Sequence, residues 1–252
     1  MLGQISSMRG EYEHAIACQQ RALEAARTAG FPYLQVTALC ALGSAYLDIS
    51  KEYLTQTTEF HSQAMQMMEM PLGTVMGAMN WAEMGFCLLA AGDLDRAREL
   101  FQKGLTISSA PQNLARPQLL VGSVFVALGQ RNLDDAAKFV LEAREFAEER
   151  AMKHLYPLIG FADAQVSAAR GEAEQALEQF IRAEELALEM QMRPLVWQAR
   201  AGAALALSAS GRDGEADVKR RAAQAMIDEI AGLFEDEKLR TMFVEGATKR
   251  LG

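Results

Sequence analysis

The sequence predicts an all-α protein of about six helical hairpins stacked in a row, with a capping helix at the C-terminal end. Three observations carry that expectation. One residue pattern recurs at a nearly constant interval, the turn glycines that punctuate it leave room for two helices per interval, and the apolar residues between them follow helical periodicity.

The recurring pattern is a small residue pair on one helix, a turn glycine, then an alanine and a bulky apolar residue on the next helix. The first unit has Leu2-Gly3, Gly10, Ala15 and Ala22. The second keeps Leu42, Gly43, Tyr46 and Ala64 but lacks the turn glycine and has Thr55 where a small residue is usual. The third has Met84-Gly85, Gly92, Ala97, Phe101 and Gly104, and the fourth Val121-Gly122, Gly129, Ala136 and Ala143. Ala164, Gly171, Ala176, Phe180 and Ala183 form the fifth, and Ala204, Gly211, Ala216 and Ala223 the sixth. Gly92, Gly129, Gly171 and Gly211 are 37, 42 and 40 residues apart, and Gly10 and Ser50 continue the series upstream at 40 and 42. Such a period fits two helices of roughly 18 residues, each about 27 Å long. The implied units are 1–30, 31–71, 72–110, 111–152, 153–192 and 193–232, with a cap over 233–252, all in a single domain.

Periodicity assigns the faces. In the second helix of the third unit Leu94, Ala97, Leu100, Phe101 and Leu105 share the inward face, and Asp95, Arg96, Glu99 and Lys103 the outward one, with Glu99 and Lys103 spaced as a favourable pair. Gly85, Gly122, Ala164 and Ala204 are expected to face Ala97, Ala136, Ala176 and Ala216, so that paired backbones approach closely. At the C-terminal end Phe234, Leu239, Phe243 and Ala247 form the stripe of a capping helix. Met65, Met67, Met68, Met70, Met76, Met79 and Met84 cluster around the second junction, as core filling or as an adaptable surface. Met1 falls within what should be a first helix, as in an array cut from something longer.

Composition excludes several function classes. The net charge is −8 with acidic and basic residues interleaved, which argues against direct nucleic-acid contact; the basic clusters Lys219-Arg220-Arg221 and Lys249-Arg250 read as solvated faces. Cys18, Cys40 and Cys87 form no CxxC pair and read as reduced, small buried residues of a cytoplasmic protein. Residues 195–211 are the most apolar stretch, too short to cross a membrane and interrupted by Arg200. Phosphate-binding, nucleophile-elbow and zinc motifs do not occur, and His14, His61 and His154 lie far apart, so no enzyme, metal or cofactor is expected.

The third unit places Trp81, Met84, Gly85, Leu88, Gly92, Ala97, Phe101 and Gly104 as a tetratricopeptide repeat does, and Pro32, Pro157 and Pro194 fall near unit junctions as that family's inter-repeat prolines do. The chain thus resembles a tetratricopeptide repeat array, with a period nearer 40 than the family's usual 34. Longer hairpins of this kind resemble the C-terminal helical regions of bacterial ATP-dependent signalling regulators, including maltose-activator-like regulators and adenylate or guanylate cyclase fusions.

The resemblance implies a right-handed superhelical solenoid whose first helices line a concave groove. Its partner-binding positions would be Ser44, Leu47, Ala82, Phe86, Leu89, Leu119, Ser123, Val126, Phe161, Gln165 and Leu205, a lining almost free of charge. The implied function is a non-enzymatic protein-binding module, regulatory or sensory within a bacterial signalling or transcription regulator. It would take an uncharged or apolar peptide or helix, one from upstream domains of the same polypeptide included. The alternative is a stand-alone adaptor that scaffolds a complex.

Overall fold

The computed structural model describes residues 2–68, 74–107 and 114–251, and among them the chain is helical throughout, with no strand. The helices are α1 (Leu2–Met8), α2 (Tyr12–Thr28), α3 (Pro32–Ile49), α4 (Leu54–Met68), α5 (Thr74–Ala91), α6 (Leu94–Ile107) and α7 (Arg116–Gly129). They continue as α8 (Leu133–Glu149), α9 (Tyr156–Ala169), α10 (Ala173–Glu189), α11 (Arg193–Ala209), α12 (Asp213–Ala231) and α13 (Glu237–Thr248). Consecutive helices pack as hairpins, from α1 with α2 to α11 with α12, and each first helix also touches the first helix of the next hairpin. Met70 lies outside the described residues, as do the side chains of Met68 and Met76; Met84 is buried in the core, and Met65 is exposed.

Local chemistry sets the helix ends. Pro32, Pro117, Pro157 and Pro194 sit in the first turns of α3, α7, α9 and α11, where no backbone donor is needed. Asn132 and Asp236 cap α8 and α13, the latter by accepting from the backbone N–H groups of Lys238 and Leu239 at 2.8 and 3.1 Å. Inside the hairpins Gly10, Gly92, Gly171 and Gly211 take positive φ between 73° and 81°, which closes each turn. Gly129 does not. It ends α7 in helical conformation, and Arg131 takes the left-handed place with φ 58°. With Arg131 as the punctuation the last three spacings become 39, 40 and 40 residues, so the repeat is more regular than its glycines suggest.

Two of the small residues make room for an aromatic ring. Gly85 on α5 and Gly122 on α7 hold the Phe101 ring of α6 between them: a Cβ would stand 2.5 Å and 2.2 Å from its Cε1. Gly202 on α11 likewise faces the Phe180 ring of α10, at 2.5 Å. Each ring reaches beyond its own hairpin into the next, and Phe101 and Phe180 are among the largest fully buried side chains. Outward residues fall where periodicity places them, with Asp95, Arg96, Glu99 and Lys103 all exposed. Lys103, however, does not lean on Glu99; it carries its ammonium 4.2 Å above the Trp81 ring.

Farther along, a carboxylate stitches three helices together. Glu184 of α10 accepts from Arg200 Nε of α11 and Lys219 Nζ of α12, both at 2.7 Å. Burial alone would raise its pKa, but the two cationic donors outweigh that and hold it below the usual carboxylate range. Lys219 is thus a structural partner of a buried acid, not a solvated charge.

The two ends of the row meet, where the sequence alone predicts only a capping helix at the C-terminal end. Here α13 bridges α12 to α2 and α3. Tyr12 of α2 lies against Phe234 and Phe243, with centroids 6.1 and 5.7 Å away, and those two rings are 5.5 Å from each other. The Glu13 carboxylate accepts from the successive backbone N–H groups of Glu235 and Asp236 at 2.6 and 2.7 Å. Arg193 Nη1 at the start of α11 donates to the Arg9 carbonyl at 3.0 Å, and Gly10 abuts the side chain of Ile230. First and last hairpins are neighbours across this seam.

Gly122→Ala tests the ring-on-glycine packing, because two effects of known sign compete. Alanine gains up to about 1 kcal/mol in helix propensity, while overpacking costs about 1–3 kcal/mol. Urea titration should show net destabilisation, and the sign should reverse in a Phe101→Val background, where only the propensity gain remains.

Candidate interaction surface

The first helices supply the positions expected to line a groove, but the structure divides them. Ala82, Leu119, Ser123, Val126 and Phe161 are buried. Leu119 packs on Gly104 of α6, the hairpin before its own; Phe161 stands edge-on to Phe180 within its own hairpin, with centroids 5.7 Å apart, and meets the Phe125 ring of the preceding hairpin at 6.5 Å. Ser44, Leu47, Phe86, Leu89 and Gln165 are half-buried, and Phe86 is tied to Phe101 by an edge contact at 5.3 Å. Leu205 alone of the eleven is well exposed, at 60 %. The apolar lining is therefore interrupted: α7 has its stripe sealed, while α3, α5 and α11 keep theirs partly open.

Where the ends meet, the inner side is not free of charge. Asp48 at the end of α3 is exposed, yet it is crowded by protein and within reach of the charges of Arg250 and Glu83. Glu83 of α5 is hydrogen-bonded to Gln4 of α1, and the Arg250 guanidinium lies 5.3 Å from the centroid of the Trp197 ring. Trp197 Nε1 and Glu83 Oε2 are buried without a protein partner. Loss of hydration raises the Asp48 pKa to about 7 against the pull of Arg250. Loss of hydration raises Glu83 to about 7 as well; the Gln4 hydrogen bond opposes it, and the Asp48 charge adds to it. Sequence reasoning missed this cluster, since its members are scattered from residue 4 to residue 250 and carry no common motif.

A concavity opens between the fourth and fifth hairpins. It holds about 1040 Å³ between α8, α9 and α10, over Ile159, Gly160 and Leu177, with Arg144, Asp163 and Glu178 at its border. Arg144 pairs with Asp163, which also accepts from Gln179 Nε2 at 2.9 Å. Glu174, also in its lining, pairs with Arg212.

Nothing in these surfaces assembles a metal site: among the described residues no group of three His, Cys, Asp or Glu side chains could hold an ion. No helix among them is long and apolar enough to cross a membrane. Of the histidines, His61 is buried, with Nε2 3.3 Å from the Cys40 carbonyl, and loss of hydration lowers its pKa to about 4. His14 and His154 are exposed. Cys40 and Cys87 are buried as expected, but Cys18 is half-exposed on α2, because its position falls on the solvent side of that helix.

No family model and no curated protein matches the chain. Solved structures do. The crystal structure of BtubC (BKLC) from P. vanneervenii aligns with 89 % of this chain and 94 % of its own, at a TM-score of 0.63 and 14 % identity. At that identity the likeness concerns the fold alone.

The Asp48 environment has a measurable consequence. An acid whose folded pKa lies above its unfolded value binds its proton more tightly in the folded state. Its destabilising effect is absent in acid, grows as pH rises from the ordinary carboxylate range towards about 7, and is complete above that. Asp48→Asn should therefore raise the unfolding free energy more at pH 8 than at pH 5, as read by urea titration. His61, which titrates with the opposite sign, cancels from that comparison.

Proposed function

We propose that the chain is a tetratricopeptide-like interaction array, a non-enzymatic regulatory or sensory module of a bacterial cytoplasmic signalling or transcription regulator. On this reading it takes an uncharged or apolar helix or peptide on the inner side of its first helices. Three features support it. Hairpins recur with a left-handed residue at intervals of 39 and 40 residues, aromatic rings lock the third hairpin to the fourth and the fifth to the sixth, and the overall fold is shared with another helical protein across nearly its whole length.

The observation that carries the reading is Leu205. Leu205 is 60 % exposed on a helix whose other large apolar side chains are buried, and an apolar partner would cover it. Leu47, Phe86 and Leu89 offer further half-open apolar surface on α3 and α5. The acidic pair does not contradict an uncharged ligand, since Asp48 and Glu83 with pKa values near 7 are partly neutral at physiological pH. Regulation would act through the hairpin interfaces, where small rotations add along the row and open or close the inner side. Because Phe86 also packs on Phe101, Leu205 is the better position to probe.

A photo-crosslinking residue placed at position 205 should capture a partner in cells. The same residue at position 218, an exposed valine on α12, should not. Capture from 218 and not from 205 would move the interaction to the outer helices.

A further inference from the structure

The turn of the first hairpin carries a chain of polar contacts that the interaction reading does not use. Ser6 Oγ and Glu11 Oε2 are 3.1 Å apart, and since a carboxylate only accepts, the hydroxyl donates. The hydroxyl has one proton, so its 2.8 Å contact with His14 Nδ1 is one in which Nδ1–H donates to it. That selects the tautomer of the neutral imidazole and leaves the lone pair on Nε2. Nε2 lies 3.6 Å from Cys18 Sγ, one turn farther along α2. Arg21 Nη2 approaches the same sulfur at 3.5 Å. A thiol, a base within reach, a third group that orients the base and a cation beside the sulfur are the parts of an activated nucleophile.

The other two cysteines sit in the opposite environment. Cys40 and Cys87 are buried, and loss of hydration raises both thiols, with no imidazole side-chain contact to either sulfur among their interactions. Cys18 keeps accessible surface, so a reagent can reach it.

We propose that Cys18 is a reactive thiol, activated by His14, at which the protein is reversibly thiolated by a low-molecular-weight disulfide. His14 Nε2 takes the thiol proton as Sγ attacks one sulfur of the disulfide. The new Sγ–S bond forms as the old S–S bond breaks, and the departing thiolate recovers the proton from the imidazolium. One thiol is oxidised to a mixed disulfide and half of the reagent is reduced to a free thiol. Glu11 and Ser6 hold the imidazole, and Arg21 offers its charge to the developing thiolate. None of this depends on the interaction reading, and either can fail alone.

The test uses 2,2′-dithiodipyridine, an uncharged disulfide whose released thione is read by absorbance, on the folded chain at pH 7. One thiol per chain should react fast, and Cys18→Ala should abolish that phase. His14→Asn should slow it by at least about tenfold, and Arg21→Gln should slow it by less. At pH 9.5, where an ordinary thiol ionises unaided, the wild-type and His14→Asn rates should converge, which a merely structural role for His14 would not produce. Circular dichroism checks that both variants stay helical. A His14→Asn rate equal to wild type at pH 7 overturns the proposal. So does a Cys18 rate no faster in the folded protein than in the chain unfolded by urea, a comparison that needs no variant.

Discussion

A phenyl ring held between two helix backbones sets the geometry of this protein. Phe101 leaves its own hairpin and enters the space between Gly85 and Gly122, where the next hairpin begins, and neither position has room for a Cβ. Interiors pack at crystal density, so the ring dictates how closely α5 and α7 approach and with what offset. Phe180 against Gly202 repeats the device farther along. Repetition of one such interface accumulates into curvature, and the curvature brings the last hairpin back to the first.

The seam is where that accumulation ends. Its aromatic trio Tyr12, Phe234 and Phe243 buries apolar surface, and the Glu13 carboxylate supplies two charge-assisted hydrogen bonds to a backbone more than two hundred residues away. Closure has a cost, visible in the groups that it encloses. Asp48 and Glu83 are carboxyls crowded by protein, and both hold their protons up to about neutral pH. The inner side is consequently less open and more polar than an extended superhelix would offer.

The parts of this architecture that were legible in the sequence are the local ones. Helix starts announced themselves through Pro32, Pro157 and Pro194, and four of the turns through glycines that adopt positive φ. Gly129 misled because a glycine at nearly the right spacing outweighs an arginine on sequence grounds, yet Arg131 bears the left-handed conformation and Gly129 packs against Leu94. The burial of Leu119 and Phe161 was illegible for another reason: an inward stripe looks the same whether it faces an open groove or the neighbouring hairpin. Nothing in the sequence distinguishes Glu13 from any other acid in the first turn of a helix, so the seam could not be read at all. The Ser6, His14 and Cys18 chain was half visible as i, i+4 spacing on α2, but the turn that brings Ser6 back to His14 belongs to the fold.

The row of hairpins closes on itself through α13. Spin labels at Gln20→Cys on α2 and Thr241→Cys on α13, both exposed helical positions, in a Cys18→Ala background would measure the end-to-end separation by pulsed dipolar spectroscopy. A closed row predicts one narrow distance distribution. A broad one centred beyond roughly 50 Å, as six hairpins laid out in an open row at 8–10 Å between helices would give, would contradict it.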